Sequence, residues 1–232
     1  AVVRAGLVVG SGGNMSAREP GSDEIWVTGA GTWLDRLERR SFVAVRVPDG
    51  AVVGDADASP TTEIGLHLAT YRARPDVNAV VHAHPPIATG FAVAGIPLTR
   101  AVLAEVVTTL GSIPIAEYGT PSTEELPAAV RKYIKAHDGM LLANHGAVTC
   151  GKDVPSAYYK METIEHFAKI SFVARMLGRE HLISREEVER LQGLRGMYGI
   201  AAPAPFCADP AAAAGMDDAV CQVLEAPESA TE

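Results

Sequence analysis

The chain has 232 residues, 47% of them hydrophobic and 21% charged, with a mean hydropathy of +0.11. That is enough apolar material for one large α/β core, and it excludes a disordered chain. A formal charge of −8 and a pI near 5.4 exclude a general nucleic-acid binder, which needs a basic face, and no apolar stretch is long enough to span a bilayer.

Residues 1–9 have neither the basic start nor the cleavage pattern of a signal peptide. They also lack an initiator Met, so the expectation is that the native N-terminus lies upstream. Cys150, Cys207 and Cys221 are odd in number and show no Cys-x-x-Cys spacing. A reduced, cytoplasmic protein with its cysteines in core or tail is the simplest expectation.

Residues 10–16 (Gly-Ser-Gly-Gly-Asn-Met-Ser) form a glycine-rich turn. It is either a plain turn or a cradle whose N–H groups face an anion, with Asn14 and Ser16 adding side-chain donors. Residues 25–28 predict a short strand, broken by a second small turn with free N–H groups at Gly29, Ala30 and Gly31. Residues 42–53 predict a structural β-hairpin around Pro48-Asp49-Gly50.

After a polar connector over 55–60, Ser59 and Pro60 predict a helix cap and first position, with Ile64, Leu68 and Tyr71 at helical spacing and Pro75 as the stop. Thr61, Thr62 and Glu63 then fall in the first turn, where hydroxyls and free N–H groups suit a phosphate. A lone Glu63 there is otherwise a solvated acid that favours the helix dipole.

Residues 78–84 (Asn-Ala-Val-Val-His-Ala-His) predict a buried strand ended by Pro85 and Pro86. Strand alternation puts His82 and His84 on one side, close enough to share a metal ion, although two histidines at a strand end can also be without a ligand role. Residues 86–97 predict a short helix and turn, 101–109 an apolar segment with one acid, and 113–115 an edge strand. Ser122 with Glu125 predicts a capping box for a helix to about His137. Residues 140–149 predict a strand, a turn in which Gly146 allows the change of direction after His145, and more strand. His145 alone is also readable as a satisfied core histidine.

A long helix over about 154–177 carries Ala157, Met161, Ile164, Ala168 and Phe172 on its core or subunit-contact face, with Gly178 as the stop. Ser184 and Glu187 predict a capping box for a helix to about Leu194. The domain expectation is one unit over 1–200 and a Pro/Ala-rich tail or docking arm over 201–232.

Glu63, His82, His84 and His145 together form a ligand set suited to Zn²⁺ or another divalent ion. With anion-friendly turns nearby, the set points to proton chemistry beside a carbonyl: a metal polarises the oxygen and stabilises an enediolate while Glu63 moves the proton.

Gly12-Gly13-Asn14-x-Ser16, Thr61-Thr62-Glu63, the run from Arg74 through His82-x-His84, and Asn144-His145-Gly146 resemble the motifs of the class II aldolase/adducin family, over about residues 6–198. The resemblance implies a three-layer α/β/α sandwich with a mainly antiparallel central sheet. It implies a cytoplasmic homotetramer with intersubunit active sites, lacking here the family's N-terminal helix. It implies Zn²⁺ on the three histidines, with Glu63 binding the resting metal and then acting as acid/base. It implies a phosphate cradle of Asn14, Gly31, Thr61 and Thr62, and Tyr198 as a C-terminal tyrosine that helps with aldehyde binding. The implied reaction is reversible cleavage of a ketose 1-phosphate, such as L-fuculose 1-phosphate, to dihydroxyacetone phosphate and an aldehyde, with no nucleic-acid or membrane partner.

Three departures stand out: Thr61-Thr62 replaces a serine pair, Ala30 replaces a hydroxyl residue, and Leu103 falls where an intersubunit tyrosine is expected. The alternatives are a 4-epimerase, which typically carries Asp at the position of Glu63, a sugar-acid phosphate decarboxylase, and an adducin-like interaction module, for which four convergent ligands have no use.

Overall fold

The computed structural model describes residues 1–54 and 58–206; Cys207, Cys221, the tail from 207 and the first half of the 55–60 connector lie outside the described residues. The strands are β1 (Asn14–Ala17), β2 (Glu24–Thr28), β3 (Phe42–Arg46), β4 (Ala79–Ala83), β5 (Ile115–Ala116), β6 (Gly139–Leu142) and β7 (Gly146–Gly151). The helices are α1 (Ile64–Ala73), α2 (Pro86–Val93), α3 (Ala104–Thr109), α4 (Glu125–Arg131), α5 (Val154–Met176) and α6 (Arg185–Gly193).

Among the described residues the strands form one sheet in the order β3-β2-β1-β4-β7-β6-β5. Every neighbouring pair is antiparallel except β5 and β6. Strand alternation divides the core in two. Ala79, Val81, Ala83 and Leu141 pack with Phe91, Val106, Ile164 and Phe167 of α2, α3 and α5. Val80, Met140, Leu142 and Val148 pack on the opposite face with Leu66, Tyr71, Leu126 and Val130 of α1 and α4. The result is the expected three-layer α/β/α sandwich with a mainly antiparallel central sheet.

Several local expectations are corrected. The Gly-rich stretch runs straight into a strand, β1, whose Asn-Met-Ser-Ala sequence carries no β-branched signal. The hairpin over 42–53 is one strand and a single bridge between Val45 and Val52. Helix α1 starts at Ile64, not after Ser59: Pro60 is extended in a bridge with Gly29, and Thr61 N donates to Thr28 O, so Thr61, Thr62 and Glu63 precede the helix.

The Ser122–Glu125 capping box does not form, because Ser122 sits at φ +65°, in the left-handed region, and the helix runs only from Glu125 to Arg131. The Glu125 carboxylate instead accepts from Thr120 N at 2.9 Å. On α5 the buried stripe is Ala157, Met161, Ile164, Phe167, Ala168 and Ser171; Phe172 lies further round the helix and is 47% exposed. The left-handed Gly178 stop is as expected, and of the Ser184–Glu187 capping box only the Ser184 half forms: its hydroxyl accepts from Glu187 N, while the Glu187 carboxylate pairs with Arg190.

Beyond a 3-10 turn at Arg195–Tyr198, residues 202–205 lie against the body, with Ala204 N donating to Ala136 O and Ser112 N to Ala204 O. The buried Arg195 fixes this path through Val107 O and Ala202 O.

A buried ionic cluster ties the end of α1 to α5 and to the residue before β6. Arg74, just after α1, reaches Asp138 at 3.0 Å, and Lys160 of α5 reaches the same carboxylate at 2.7 Å. Removing the shared acid leaves Lys160 without a carboxylate and Arg74 with Asp76 alone, in a setting largely shielded from water. Asp138→Ala is expected to cost about 3–5 kcal/mol in urea unfolding; a loss below about 1 kcal/mol, the range of an exposed pair, contradicts this role.

Candidate metal centre and active site

His82 is the penultimate residue of β4, and its ring is fully buried. The sheet register sets it opposite Asn14 of β1 and Val148 of β7. Its Nδ1 lies 2.9 Å from Ala147 O. A carbonyl can only accept, so Nδ1 carries the proton and the Nε2 lone pair faces the site. His84 follows one residue beyond the strand, anchored by its own N–H to Leu7 O. Its Nε2 is 3.1 Å from His82 Nε2.

His145 comes from the β6–β7 turn, and its ring centre is 4.7 Å from that of His82 and 5.2 Å from that of His84. The residue that turns the chain is Asn144, at φ +56°, not Gly146 as expected. Asn tolerates the left-handed region better than other side chains. Gly146 is needed for a different reason: a Cβ there would lie 2.5 Å from Ala83 O and 2.7 Å from His84 Cδ2. Gly12 approaches the other side of the same ring, with a Cβ position 3.1 Å from His84 Nδ1.

Glu63 sits at the N-cap of α1 but makes no side-chain cap bond. Its Oε2 is 3.3 Å from His82 Nε2 and accepts from Asn14 Nδ2 at 2.8 Å, while Oε1 is 3.2 Å from His145 Nε2. A tetrahedral ion with bonds of about 2.0–2.1 Å has ligand–ligand edges of about 3.3 Å. Three contacts, His82 to His84, His82 to Glu63 Oε2 and His145 to Glu63 Oε1, lie at 3.1–3.3 Å and match that edge, and the ligand nitrogens of the three histidines all lie within 4.8 Å of one another. Glu63 Oε1 is moreover buried without a hydrogen-bond partner, a polar atom aimed at the histidines. The donor set fits a divalent metal ion.

The electrostatics suit the same role. Burial raises the Glu63 carboxyl pKa, but contacts from His145, His82 and Asn14 outweigh it and hold the group far below the usual carboxylate range. Burial, then the neighbouring His82 and His145, push His84 down to about 4, so its ring is neutral and open to a metal at neutral pH.

The glycine turn after β2 is drawn beside the residues before α1 by the Gly29–Pro60 bridge. Gly31, at φ +70°, thus shares a neighbourhood with Thr61 and Thr62, and Asn14 joins them through Glu63. Not all the expected N–H groups are free: Ala30 N donates to Ser59 O and Thr61 N to Thr28 O. Thr61 is buried, with its hydroxyl accepting from Glu63 N, while Thr62 is exposed. Tyr198 is 64% exposed on the 3-10 turn beside α3 and α6, and among the described residues no hydrogen bond, ion pair or ring contact joins it to Glu63 or the histidines. Leu103 is the N-cap of α3 and packs on the core. Cys150 is buried, and burial pushes its thiol up to about 12, so it is an inert core residue.

The family model described as Class II Aldolase and Adducin N-terminal domain matches residues 1–172. The chain belongs to this family. As a class II aldolase/adducin chain it is 32% identical over 170 residues to an L-fuculose phosphate aldolase of Methanococcus maripaludis, covering 73% of this chain and 89% of that protein. It is 30% identical over 172 residues to a 3-oxo-tetronate 4-phosphate decarboxylase of Escherichia coli O6:H1, covering 72% and 79%. A solved L-fuculose 1-phosphate aldolase superposes with a TM-score of 0.78 at 28% identity, covering 86% of this chain and 91% of that one.

Sequence reasoning missed His67, whose Nε2 is 2.6 Å from Asn14 Oδ1. Its spacing of four from Glu63 on a predicted helix was the available signal.

Two outcomes test this geometry. Gly146→Ala is expected to weaken binding of a divalent ion, with Zn²⁺ as the probe, about 10- to 100-fold, measured by chelator competition, because the added methyl displaces the His84 ring; unchanged affinity contradicts the packing. The second concerns pH. Burial pushes His67 down to about 3, below its unfolded value, so the unfolded chain binds the proton first as pH falls. The stability of the metal-free protein is then fully present above about pH 6.5 and is lost toward pH 3, by up to about 1.4 kcal/mol per pH unit for this group. Urea midpoints that stay level between pH 7 and pH 4 contradict it.

Proposed function

We propose that this protein is a zinc-dependent aldolase of the lyase class that reversibly cleaves a ketose 1-phosphate, of the type of L-fuculose 1-phosphate, into dihydroxyacetone phosphate and an aldehyde. The observation that carries the reading is Glu63: a carboxylate set against His82 and His145 at ligand distance and tethered by Asn14. A group so placed can hold a metal at rest and move a proton when substrate takes its place. The M. maripaludis relative and the superposed solved structure, both aldolases by name, support it.

His82, His84, His145 and Glu63 would hold the ion, which polarises a substrate oxygen when bound. In the synthetic direction Glu63 takes a proton from the hydroxymethyl carbon of dihydroxyacetone phosphate. The electron pair left on that carbon spreads toward the adjacent carbonyl oxygen and then attacks the aldehyde carbon, opening its C=O bond, and the alkoxide so formed takes up the proton held by the Glu63 carboxyl. In cleavage the order is reversed: Glu63 takes the hydroxyl proton as the C–C bond breaks, and the same carboxyl then delivers it to carbon. Asn14, Gly31, Thr61 and Thr62 hold the phosphate and so fix which carbon faces Glu63. Tyr198, exposed on the single chain, helps bind the aldehyde in a cytoplasmic homotetramer with active sites between subunits.

Decarboxylation of a sugar-acid phosphate is the second reading, supported by the E. coli relative. It leaves an electron pair beside a carbonyl in the same way and is told apart by release of CO₂.

The zinc-loaded protein is expected to release dihydroxyacetone phosphate from a panel of ketose 1-phosphates, and Glu63→Gln to lower kcat by about 100-fold or more. No dihydroxyacetone phosphate from any of them, or full activity in Glu63→Gln, overturns the reading.

A further inference from the structure

A buried row of polar side chains joins α1 and its N-cap to β1, beside the apolar core that α1 shares with the rest of the sheet. Glu63 at the N-cap and His67 and Tyr71 on the helix recur every four residues, and Asn14 and Ser16 lie two apart on the strand, so five polar groups meet along one line. Asn14, Ser16, His67 and Tyr71 are all buried. Burying such groups is costly unless each is satisfied, so their bonds have one consistent assignment to find.

The assignment starts at Glu63. A carboxylate only accepts, so the group of Asn14 that lies 2.8 Å from Oε2 is its NH₂. Asn14 Oδ1 is then the atom 2.6 Å from His67 Nε2, and that nitrogen must carry a proton. His67 has no carboxylate within hydrogen-bond distance and is fully buried, so the ring is neutral and its Nδ1 is bare. Ser16 Oγ, 2.7 Å away, donates to it. Having spent its proton, Ser16 Oγ accepts from Tyr71 OH at 3.0 Å. Every donor points the same way, from Tyr71 through Ser16, His67 and Asn14 to Glu63.

We propose that His67 is a positioning residue for Glu63: its Nε2–H fixes the Asn14 amide with the NH₂ toward Oε2, which pins the carboxylate and leaves Oε1 facing the metal ligands. A flipped amide would set Asn14 Oδ1 against the carboxylate, oxygen to oxygen, and His67 denies that state. This inference deepens the reading of Glu63 as metal ligand and base and takes that reading as its premise.

The first test is a long-range ¹H–¹⁵N correlation of the histidine rings in the zinc-free wild-type protein at pH 7. His67 is expected as the neutral Nε2–H tautomer; an Nδ1–H tautomer or an imidazolium overturns the chain. The second is zinc affinity by chelator competition, with thermal unfolding as a check on folding. His67→Leu removes the donor and is expected to weaken zinc about 10- to 100-fold, whereas His67→Gln, whose amide N–H can still reach Asn14 Oδ1, is expected within roughly threefold of wild type. Wild-type affinity in His67→Leu, or no recovery in His67→Gln, overturns the proposal. Should His67→Leu fail to fold, the wild-type tautomer still decides. Neither readout uses a substrate, so absence of aldolase activity would count against the proposed reaction without touching this result.

Discussion

The register of β4 between β1 and β7 is the constraint on which the site depends. Asn14 faces His82 across one ladder and Ala147 faces Ala83 across the other. Those two pairings bring residues far apart in the chain to a single end of the sheet: the Asn14 strand, the His82-x-His84 pair and the His145 turn. A slip of one residue would turn His82 to the opposite face, among the side chains packed under α2 and α5. The apolar alternation of Ala79, Val80, Val81 and Ala83 therefore specifies the chemistry as well as the core.

The site is also a concentration of buried polar groups that a purely structural sheet end would not carry. Two imidazole nitrogens lie 3.1 Å apart, and a carboxylate oxygen is buried without a hydrogen-bond partner. In a low dielectric such an arrangement is unfavourable by itself. The surroundings hold it in place: Ala147 O orients His82, Leu7 O anchors the backbone of His84, and Gly12 and Gly146 leave room for its ring. Local instability maintained by a rigid frame is what a binding site for a cation requires, because the ion supplies the missing interactions.

Much of this was legible in the sequence, and the reasons for success and failure differ. His82 and His84 could be placed because strand alternation is a period-two rule that needs no partner to apply. The layered architecture and Glu63 beside the histidines came from ordered motifs resembling a family, not from periodicity. Boundaries fared worse. Ser59-Pro60 carries a good helix-start signal, yet Pro60 is claimed by a bridge to Gly29, and a tertiary contact of that kind leaves no local trace. Ser122 and Glu125 have capping-box spacing, but Ser122 adopts a left-handed turn. His67 went unnoticed because a histidine inside a helix has many uses, and only its contact with Asn14 singles it out.

The central claim is that Glu63, His82, His84 and His145 converge on one divalent ion. X-ray absorption on the zinc-titrated protein, with the bound metal counted per chain, addresses it without reference to any substrate. The account predicts one ion per chain with three imidazole nitrogens and a carboxylate oxygen at about 2.0–2.2 Å. A chain that binds no zinc, or an ion whose first shell lacks the imidazoles, would contradict it.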